Sequence, residues 1–329
     1  MTVKTAIIGL GIMGRRMLEH MTRHEGYAPV AIWDPDADAC KAARAIAPDA
    51  ALVESAEAAM DAADLVYLAC PPGPRKRYAL AAAAAGKAVF LEKPLGVDPD
   101  ASEDLVAQLE ASGVPAAVNF VQAAGDALAD VSEAARSGAM GDLVGAEIIL
   151  TYGSWPRGWQ QAADWLRYRA EGGMTREVIS HFLFFTERLF GPLSVVWARP
   201  SYPQDDALCE THMLAHLETA DGRPVTILAS VGGALPDRQE LTIKGTRTSR
   251  RISEFYIDAV SDGGDFHEIR ARPQDPRATS LKAQLDELLL CMSGQPHRLA
   301  SPREALRVQH LVESMLRGAG QAPSHRTGG

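Results

Sequence analysis

Three glycines near the amino terminus constrain the fold of this chain more than any other feature. A short apolar run ends at Gly9, and Gly11 and Gly14 follow in the order G-x-G-x-x-G before an amphipathic segment begins. This succession of strand, tight turn and helix predicts a dinucleotide-binding site. In this pattern, Gly9 allows the tight turn, and Gly11 allows a pyrophosphate to approach the backbone closely. Gly14 allows the helix to pack closely on the strand.

The start of the predicted helix and the end of the next apolar run supply further contacts of such a site. The N–H groups of Ile12 and Met13 would face the phosphates, because the helix dipole favours negative charge there. Asp34 ends the second apolar run about 20 residues after Gly14, the spacing of the acid that binds the adenosine ribose. No arginine comes directly after Asp34 and Asp36, so NAD is predicted as the cofactor, with NADP as the alternative.

Composition and charge narrow the class of protein. The chain has 329 residues, enough for two domains, and its formal net charge of −9 argues against nucleic acid or an anionic membrane surface as partner. Four cysteines lie far apart with no C-x-x-C pair, which predicts buried, reduced thiols and no metal site. We find no signal-peptide or membrane-span pattern, so we expect a cytoplasmic protein that acts on a small molecule.

The order of apolar and alanine-rich segments predicts the fold class. Over the first part of the chain, strands alternate with helices, which indicates a parallel, doubly wound sheet. Later segments resemble antiparallel strand pairs separated by turn residues, and two of the predicted strands span 251–257 and 266–271. The prediction is an α/β protein with a Rossmann domain over 1–120, an α+β domain with a large, mostly antiparallel open sheet over 121–317, and a flexible tail over 318–329.

Ligands of parallel sheets bind beyond the carboxyl ends of the strands. Four polar or turn-forming stretches follow predicted strands here, so they should surround one crevice with Asp34: Pro71 and Pro72, Glu92, Lys93, and Asn119. Lys93 is a candidate acid–base group for oxidation of an alcohol, which needs a base to take the hydroxyl proton. The alternatives are a surface lysine and a lysine that binds a hydroxyl of the cofactor.

A second candidate acid–base group lies on a helix that follows a double glycine. His181 shares one side of this helix with Glu177, four residues earlier, and a carboxylate beside an imidazole fixes its tautomer. The alternative is a structural hydrogen bond between the two.

Aromatic and basic residues alternate just before this helix: Trp155, Arg157, Trp159, Trp165, Arg167, Arg169 and Arg176. Aromatic faces stack on rings, and arginine suits a carboxylate or phosphate, so one hypothesis is a substrate with a ring and an acidic group. The alternative is an interdomain loop with aromatic anchors packed into the core.

Several motifs together resemble the Gfo/Idh/MocA family, the relatives of glucose-fructose oxidoreductase and inositol dehydrogenase. They are GLGIMG at 9–14, AGKAVFLEKPLG at 85–96, GG-x7-H at 172–181 and EAL-x-V at 304–308. The resemblance implies a Rossmann domain and an α/β domain whose open sheet often mediates oligomers, here a homodimer or homotetramer. It implies NAD or NADP, with Lys93 and His181 flanking the carbon that gains or loses hydride, and Glu177 holding or polarising the substrate.

This chain departs from the family's pattern at several positions. Glu177 stands in place of the usual aspartate, Arg75 in place of the histidine of P-x-x-x-H, and Ile179 in place of a glycine. The arginine that often follows the position of Asn119 is missing, with Val121 and Gln122 there instead. These changes leave the cofactor prediction intact, but they affect whether the family's usual sugar or cyclitol is expected as the substrate.

The sequence thus predicts an NAD(P)-dependent oxidoreductase acting on a secondary alcohol or carbonyl carbon of a sugar-like or cyclic molecule. Within enzymes, the alternatives on this fold are reduction of a C=C or C=N bond, oxidation of a dihydrodiol, and a glycosidase cycle with tightly held NAD. Outside enzymes, the alternative is an NAD(P)-sensing regulator, against which the presence of both Lys93 and His181 argues.

Overall fold

A computed structural model describes residues 2–320 of the chain. Its strands, in chain order, are β1 (Val3–Ile8), β2 (Tyr27–Trp33), β3 (Ala51–Leu52), β4 (Leu65–Leu68), β5 (Ala88–Glu92), β6 (Ala116–Asn119), β7 (Leu143–Tyr152), β8 (Leu193–Ser201), β9 (His212–Thr219), β10 (Pro224–Val231), β11 (Arg238–Gly245), β12 (Ser249–Ser253), β13 (Ile257–Ser261) and β14 (His267–Glu268). Its helices are α1 (Ile12–Arg23), α2 (Ala37–Ile46), α3 (Ala56–Asp61), α4 (Pro72–Ala84), α5 (Pro99–Ser112), α6 (Asp126–Arg136), α7 (Ser180–Phe190), α8 (Pro276–Met292) and α9 (Pro302–Leu316).

The chain divides into two compact units. Of the described residues, the first unit comprises 2–125 together with Pro273–Leu306, and the second comprises Asp126–Arg272 together with 307–320. The sequence prediction placed all of 121–317 in the second domain, whereas the structure packs 273–306 with the first unit. The reason is α8, whose Leu281 and Leu285 join the same hydrophobic core as α1.

The first unit is a parallel sheet in the order β3-β2-β1-β4-β5-β6, which confirms the predicted doubly wound sheet. Helices follow β1 to β5 in turn. The strands β4 and β5 are buried along their whole length, which explains their continuous apolar runs. Helix α1 buries Gly14, Met17, Leu18 and Met21, the i, i+3, i+4, i+7 positions of one face.

The second unit is an eight-stranded sheet in the order β14-β13-β12-β11-β7-β10-β9-β8. Only β7 and β10 pair in parallel among its neighbouring strands, so the predicted, mostly antiparallel sheet is confirmed. Burial alternates along β9, where Met213, Ala215 and Leu217 are buried, and the opposite face carries Leu214 at 45% exposure.

One predicted strand, over 251–257, is wrong. The chain reverses between β12 and β13 at Glu254 and Phe255, whose φ angles are +51° and +68°. Residues other than glycine, asparagine and aspartate rarely adopt this left-handed conformation, and neither position carries the glycine or asparagine that would indicate a turn. Beyond it, the predicted strand over 266–271 shortens to the two residues of β14.

The predicted tail begins against the second sheet. The N–H of Ala198 in β8 donates to the carbonyl of Ala319 at 2.9 Å, and residues 321–329 lie outside the described part of the chain. All four cysteines are buried, and none of them forms a disulfide. Among residues 2–320, no helix combines the length and the apolar character needed to cross a membrane.

Candidate active site

The glycine turn between β1 and α1 is closely packed at Gly9 and Gly14 and open at Gly11. Gly9 has φ +94°, and a Cβ there would lie 2.4 Å from the backbone nitrogen of Cys70. A Cβ on Gly14 would lie 1.8 Å from the carbonyl oxygen of Gly9. A Cβ on Gly11, in contrast, would have no atom within 4 Å, and no side chain caps the helix there. Gly11 therefore keeps open the space where a pyrophosphate would meet the helix N–H groups, so the turn fits a dinucleotide.

We expect Gly11→Ala and Gly14→Ala to fail in different ways. Gly11→Ala should cost about 1 kcal/mol or less of unfolding free energy and weaken NAD binding by about tenfold or more, because its methyl group enters the phosphate space. Gly14→Ala should lower the free energy of unfolding by about 1–3 kcal/mol or more, because its methyl group overlaps a backbone carbonyl. Thermal unfolding and NAD titration of both variants check this, and equal affinity of Gly11→Ala and wild type would contradict it.

Asp34 links the end of β2 to the glycine turn. Its Oδ2 accepts the N–H of Leu10 at 2.6 Å, and its Oδ1 accepts the N–H of Asp36 at 2.8 Å. Each carboxylate oxygen has more than one lone pair, so these bonds orient Asp34 without exhausting its capacity to accept ribose hydroxyls.

Three adjacent strands contribute to a buried polar cluster just before Lys93. The Oε1 of Glu92 in β5 accepts the hydroxyl of Tyr67 in β4 and the side-chain amide of Asn119 in β6, the latter at 2.6 Å. Burial raises the pKa of Glu92, and burial raises the pKa of Tyr67 as well. The sequence indicates Glu92 and Asn119 but not Tyr67, because a tyrosine within an apolar strand gives no sign of a buried polar partner.

The double glycine before the second candidate site is also explained by packing. A Cβ on Gly172 would lie 2.4 Å from the carbonyl oxygen of Leu166, and a Cβ on Gly173 would lie 2.3 Å from the carboxylate of Glu210. Glu210 is fully buried, which raises its pKa, and it accepts the N–H of Thr175 at 2.7 Å. Glu210 thus fixes the start of the helix that carries Glu177, a role that the sequence did not reveal.

The helix after the double glycine begins as a π-helical turn over Thr175–Ile179 and continues as α7. Single π-helical turns occur often at functional sites. His181 lies at the start of α7 with 5% exposure, and its ring packs edge-to-face on Phe255 with the centroids 5.2 Å apart. Phe255, from the left-handed turn between β12 and β13, also stacks on Phe182 at 5.3 Å. The sequence missed Phe255 because nothing local connects this turn to the helix.

The tryptophans predicted to contact substrate lie in the loop after β7. Trp159 is 44% exposed, whereas Trp165 is partly buried and the indole of Trp155 donates to the carbonyl of Leu166 at 2.9 Å. Arg167 pairs with Asp164 at 3.0 Å. Of the three tryptophans, Trp159 is therefore the most exposed.

Comparison with known proteins identifies the family. The model of Gfo/Idh/MocA, an oxidoreductase family with an NAD-binding Rossmann fold, matches residues 3–120, and the model of the Gfo/Idh/MocA C-terminal domain matches residues 128–251. The chain belongs to the Gfo/Idh/MocA family. The resemblance based on sequence motifs is thereby confirmed.

Named relatives in this family match only part of the chain. An inositol 2-dehydrogenase from Acidiphilium cryptum is 39% identical over 102 residues, which are 29% of this chain and 30% of that protein. Another, from Cereibacter sphaeroides, is 35% identical over 115 residues, 34% of each. The chain matches about a third of the length of these curated relatives.

Solved structures with the same fold match nearly the whole chain. An oxidoreductase from Agrobacterium radiobacter in complex with NAD+, L-tartaric acid and magnesium has a TM-score of 0.83 at 18% identity, covering 97% of this chain and 96% of that one. The WlbA dehydrogenase from Bordetella pertussis, in complex with NADH and UDP-GlcNAcA, has a TM-score of 0.82 at 20% identity, covering 97% and 95%. At this level of identity, the likeness shows the fold.

Arg75 is the departure from the Gfo/Idh/MocA pattern that the structure explains best. Its guanidinium is 2% exposed and donates to the carbonyls of Cys70, Glu92 and Pro94, with the bond to Glu92 at 2.7 Å. Glu92 and Pro94 are the two neighbours of Lys93 in the chain. Arg75 therefore fixes the backbone on both sides of Lys93, where the side chain of a histidine carries fewer donors.

The sequence predicts that Arg176 contacts the substrate, but its surroundings in the structure are those of an internal ion pair. Its guanidinium is buried and forms a two-bond ion pair with Glu313, at 2.6 and 2.9 Å. It also donates to the carbonyls of Arg169 and Gly172, at 2.7 and 3.0 Å. These internal partners give Arg176 a structural role, so we leave it out of the proposed substrate contacts.

We expect Glu313→Gln to lower the free energy of unfolding by about 3–5 kcal/mol, because it leaves the guanidinium of Arg176 buried without its counter-charge. The exposed pair of Arg136 and Glu133 provides a control, since Glu133→Gln should cost about 1 kcal/mol or less. Chemical denaturation measures both, and a Glu313→Gln variant as stable as the control would refute this role.

Proposed function

We propose that this chain is an NAD-dependent dehydrogenase that oxidises a secondary alcohol of a sugar-like or cyclic molecule, or reduces the matching carbonyl. The single observation that carries the proposal is the setting of Lys93. Buried polar groups are costly, yet Arg75, Glu92, Tyr67 and Asn119 combine to fix the backbone around one partly buried lysine at the carboxyl edge of the sheet. Such a concentration of supporting hydrogen bonds is typical of a functional side chain.

The first unit supplies the groups that would hold the cofactor. The N–H groups at Gly11, Ile12 and Met13 would bind the pyrophosphate, and Asp34 the adenosine ribose. Four residues at the ends of β4, β5 and β6 would line the nicotinamide side: Pro71, Pro72, Glu92 and Asn119. When bound, NAD supplies the acceptor for the hydride of the alcohol.

Proton transfer falls to this chain's own side chains. We propose that His181 takes the hydroxyl proton, because a neutral imidazole can accept it within hydrogen-bond reach. Lys93 donates a hydrogen bond to the same oxygen, which stabilises negative charge as the proton leaves. Glu177 accepts a hydrogen bond from a neighbouring hydroxyl and so orients the ring.

The aromatic residues support a ring-shaped substrate. Trp159 is 44% exposed although Arg157 packs on its ring, and its exposed part suits stacking on the apolar face of a sugar or cyclitol. Two curated relatives are inositol 2-dehydrogenases, which supports a cyclic polyol. Arg167 and Arg176 already hold carboxylates of this chain, so the structure favours a neutral polyol over the acidic substrate that the sequence also suggests.

Absorbance of NADH, followed across cyclitols, neutral sugars, uronates and cyclic diols, tests this proposal. We expect turnover of at least one neutral cyclic polyol with NAD. Turnover of uronates alone would contradict the neutral substrate. Tightly bound NAD that no member of the panel reduces would contradict the dehydrogenase and favour a cofactor-sensing role.

We also expect Asp34 to set the preference for NAD over NADP. Its carboxylate would repel a 2′-phosphate, so Asp34→Ser should lower the ratio of NAD to NADP affinity by about tenfold or more. The ratio is the informative quantity, because loss of the bond to Leu10 loosens the turn for both cofactors. Titration with each cofactor measures the ratio, with Asp61→Asn, at an exposed position at the end of α3, as control. A wild type that prefers NADP would contradict the role of Asp34.

We further propose that the partly exposed face of the second sheet joins two copies of the chain. Leu214 in β9 and Leu228 in β10 are cross-strand partners at 45% and 49% exposure, and Leu228 pairs with Ile149 in β7. Apolar residues in contiguous exposed positions are typical of interfaces. Light scattering should give a homodimer or homotetramer for the wild type and a smaller species for Leu228→Glu.

A further inference from the structure

Arg157 and Gln160 lie on one side of a short 3-10 turn after β7. The turn spans Gly158–Gln160, and side chains three residues apart eclipse each other in this geometry. The Nε of Arg157 accordingly donates to the Oε1 of Gln160 at 2.7 Å. Both side chains are buried, at 7% and 2% exposure. The sequence suggested Arg157 only as a contact for an acidic substrate, and it did not indicate Gln160.

The far end of Gln160 contacts Glu177. Its Nε2 donates to the Oε1 of Glu177 at 2.9 Å, and the Nη2 of Arg157 lies 3.6 Å from the same oxygen. Only one orientation of the Gln160 amide satisfies both neighbours, because the reverse would set its NH2 against the guanidinium and its oxygen against the carboxylate. The three side chains therefore form a directional chain of hydrogen bonds, which we call the carboxylate relay: Arg157, Gln160 and Glu177.

Aromatic rings enclose the charged end of the carboxylate relay. The guanidinium of Arg157 lies 4.8 Å from the ring centre of Trp159, 5.5 Å from that of Tyr152 and 5.7 Å from that of Trp155. Arginine stacks on aromatic faces while its planar fork donates hydrogen bonds, a combination that lysine does not offer. A buried cation also needs a counter-charge, and Glu177, with 16% of its side chain exposed, is the carboxylate beside it.

We infer that Arg157 and Gln160 are positioning residues that hold the Glu177 carboxylate in one orientation for a neutral hydroxyl donor of the substrate. This inference rests on the proposed function, which gives Glu177 its contact with substrate. Arg157 neutralises Glu177 rather than an acidic group of the substrate. Glu177 stands where the family usually has aspartate, and the carboxylate relay fixes its longer and more mobile side chain.

Gln160→Glu is the sharpest test, because it preserves shape and the bond from Arg157 but sets a carboxylate against Glu177. We expect Gln160→Glu and Arg157→Met each to raise KM for the polyol by about 10–100-fold, with kcat within about threefold and NAD affinity unchanged. Gln161→Glu, at the exposed neighbouring position outside the relay, should leave all three unchanged. A merely structural role would lower the active fraction, with KM unaltered.

A double-mutant cycle tests the carboxylate relay without activity. Gln160→Met and Glu177→Met should each lower the unfolding midpoint, and the double variant should lose clearly less than the sum of the two shifts. If the shifts are non-additive but the protein oxidises no polyol, the proposed function is refuted and the carboxylate relay stands. Additive shifts, or a Gln160→Glu variant with KM within about twofold of wild type, would overturn the relay while the dehydrogenase stands.

Discussion

Lys93→Met is expected to bind NAD with unchanged affinity and to lower kcat by about 10²-fold or more, the usual scale for loss of an acid–base or charge-stabilising group. Methionine preserves the length of the side chain and removes its charge. Steady-state kinetics and NAD titration measure the two effects separately. Lys41→Met, at an exposed position on α2, is the matched control and should change neither.

Lys93→Arg separates the two ways in which the lysine could act. Arginine retains the positive charge and does not exchange its proton near neutral pH. If Lys93 stabilises charge on the substrate oxygen, as proposed, Lys93→Arg should regain part of the activity that Lys93→Met loses. Equal losses in the two variants would instead indicate proton exchange through Lys93. Near-full turnover of Lys93→Met would remove this residue from the mechanism.

The second large effect is expected at His181. His181→Gln retains hydrogen-bonding groups but cannot take a proton, so kcat should fall by about 10²-fold or more while NAD affinity stays within about twofold. The pH profile of kcat/KM should lose the limb that His181 contributes, because the substituted side chain does not titrate. His297→Gln, at an exposed position after α8, is the control.

A variant at His181 that keeps both full turnover and the wild-type pH profile would contradict its role as base. Thermal unfolding checks the alternative that His181 is a core residue only. Its ring contacts Phe255, so a purely structural histidine would show its effect as lost stability, with kcat per folded molecule unchanged.

The sequence predicted well those features that arise within a short stretch of the chain. Gly9 and Gly14 admit no Cβ, and such positions are readable from spacing alone because they arise within one strand, turn and helix. The parallel sheet follows for a similar reason, since buried strands require continuous apolar runs. Lys93 follows β5 and Asn119 is the last residue of β6, so their place at the carboxyl edge is set by the chain direction.

Contacts between distant segments account for what the sequence did not predict. Phe255 contacts His181 from a turn whose residues are not typical of turns. Glu210, just before β9, lies so close to Gly173 that no Cβ fits there. Helix α8 has an apolar face, but its sequence does not indicate whether this face packs in the core of the first unit or of the second. The sequence suggests Arg176 as an anion-binding residue because it does not reveal the partner of Arg176, Glu313, which lies far along the chain.

We propose that Lys93 and His181 act on one carbon beside one nicotinamide ring. A crystal structure of the protein with NAD and a turned-over polyol, or its ketone, tests this most directly. We expect the Nζ of Lys93 and an imidazole nitrogen of His181 to lie within about 3 Å of the reacting oxygen. A complex in which either group lies in a separate pocket, away from the nicotinamide, would contradict it.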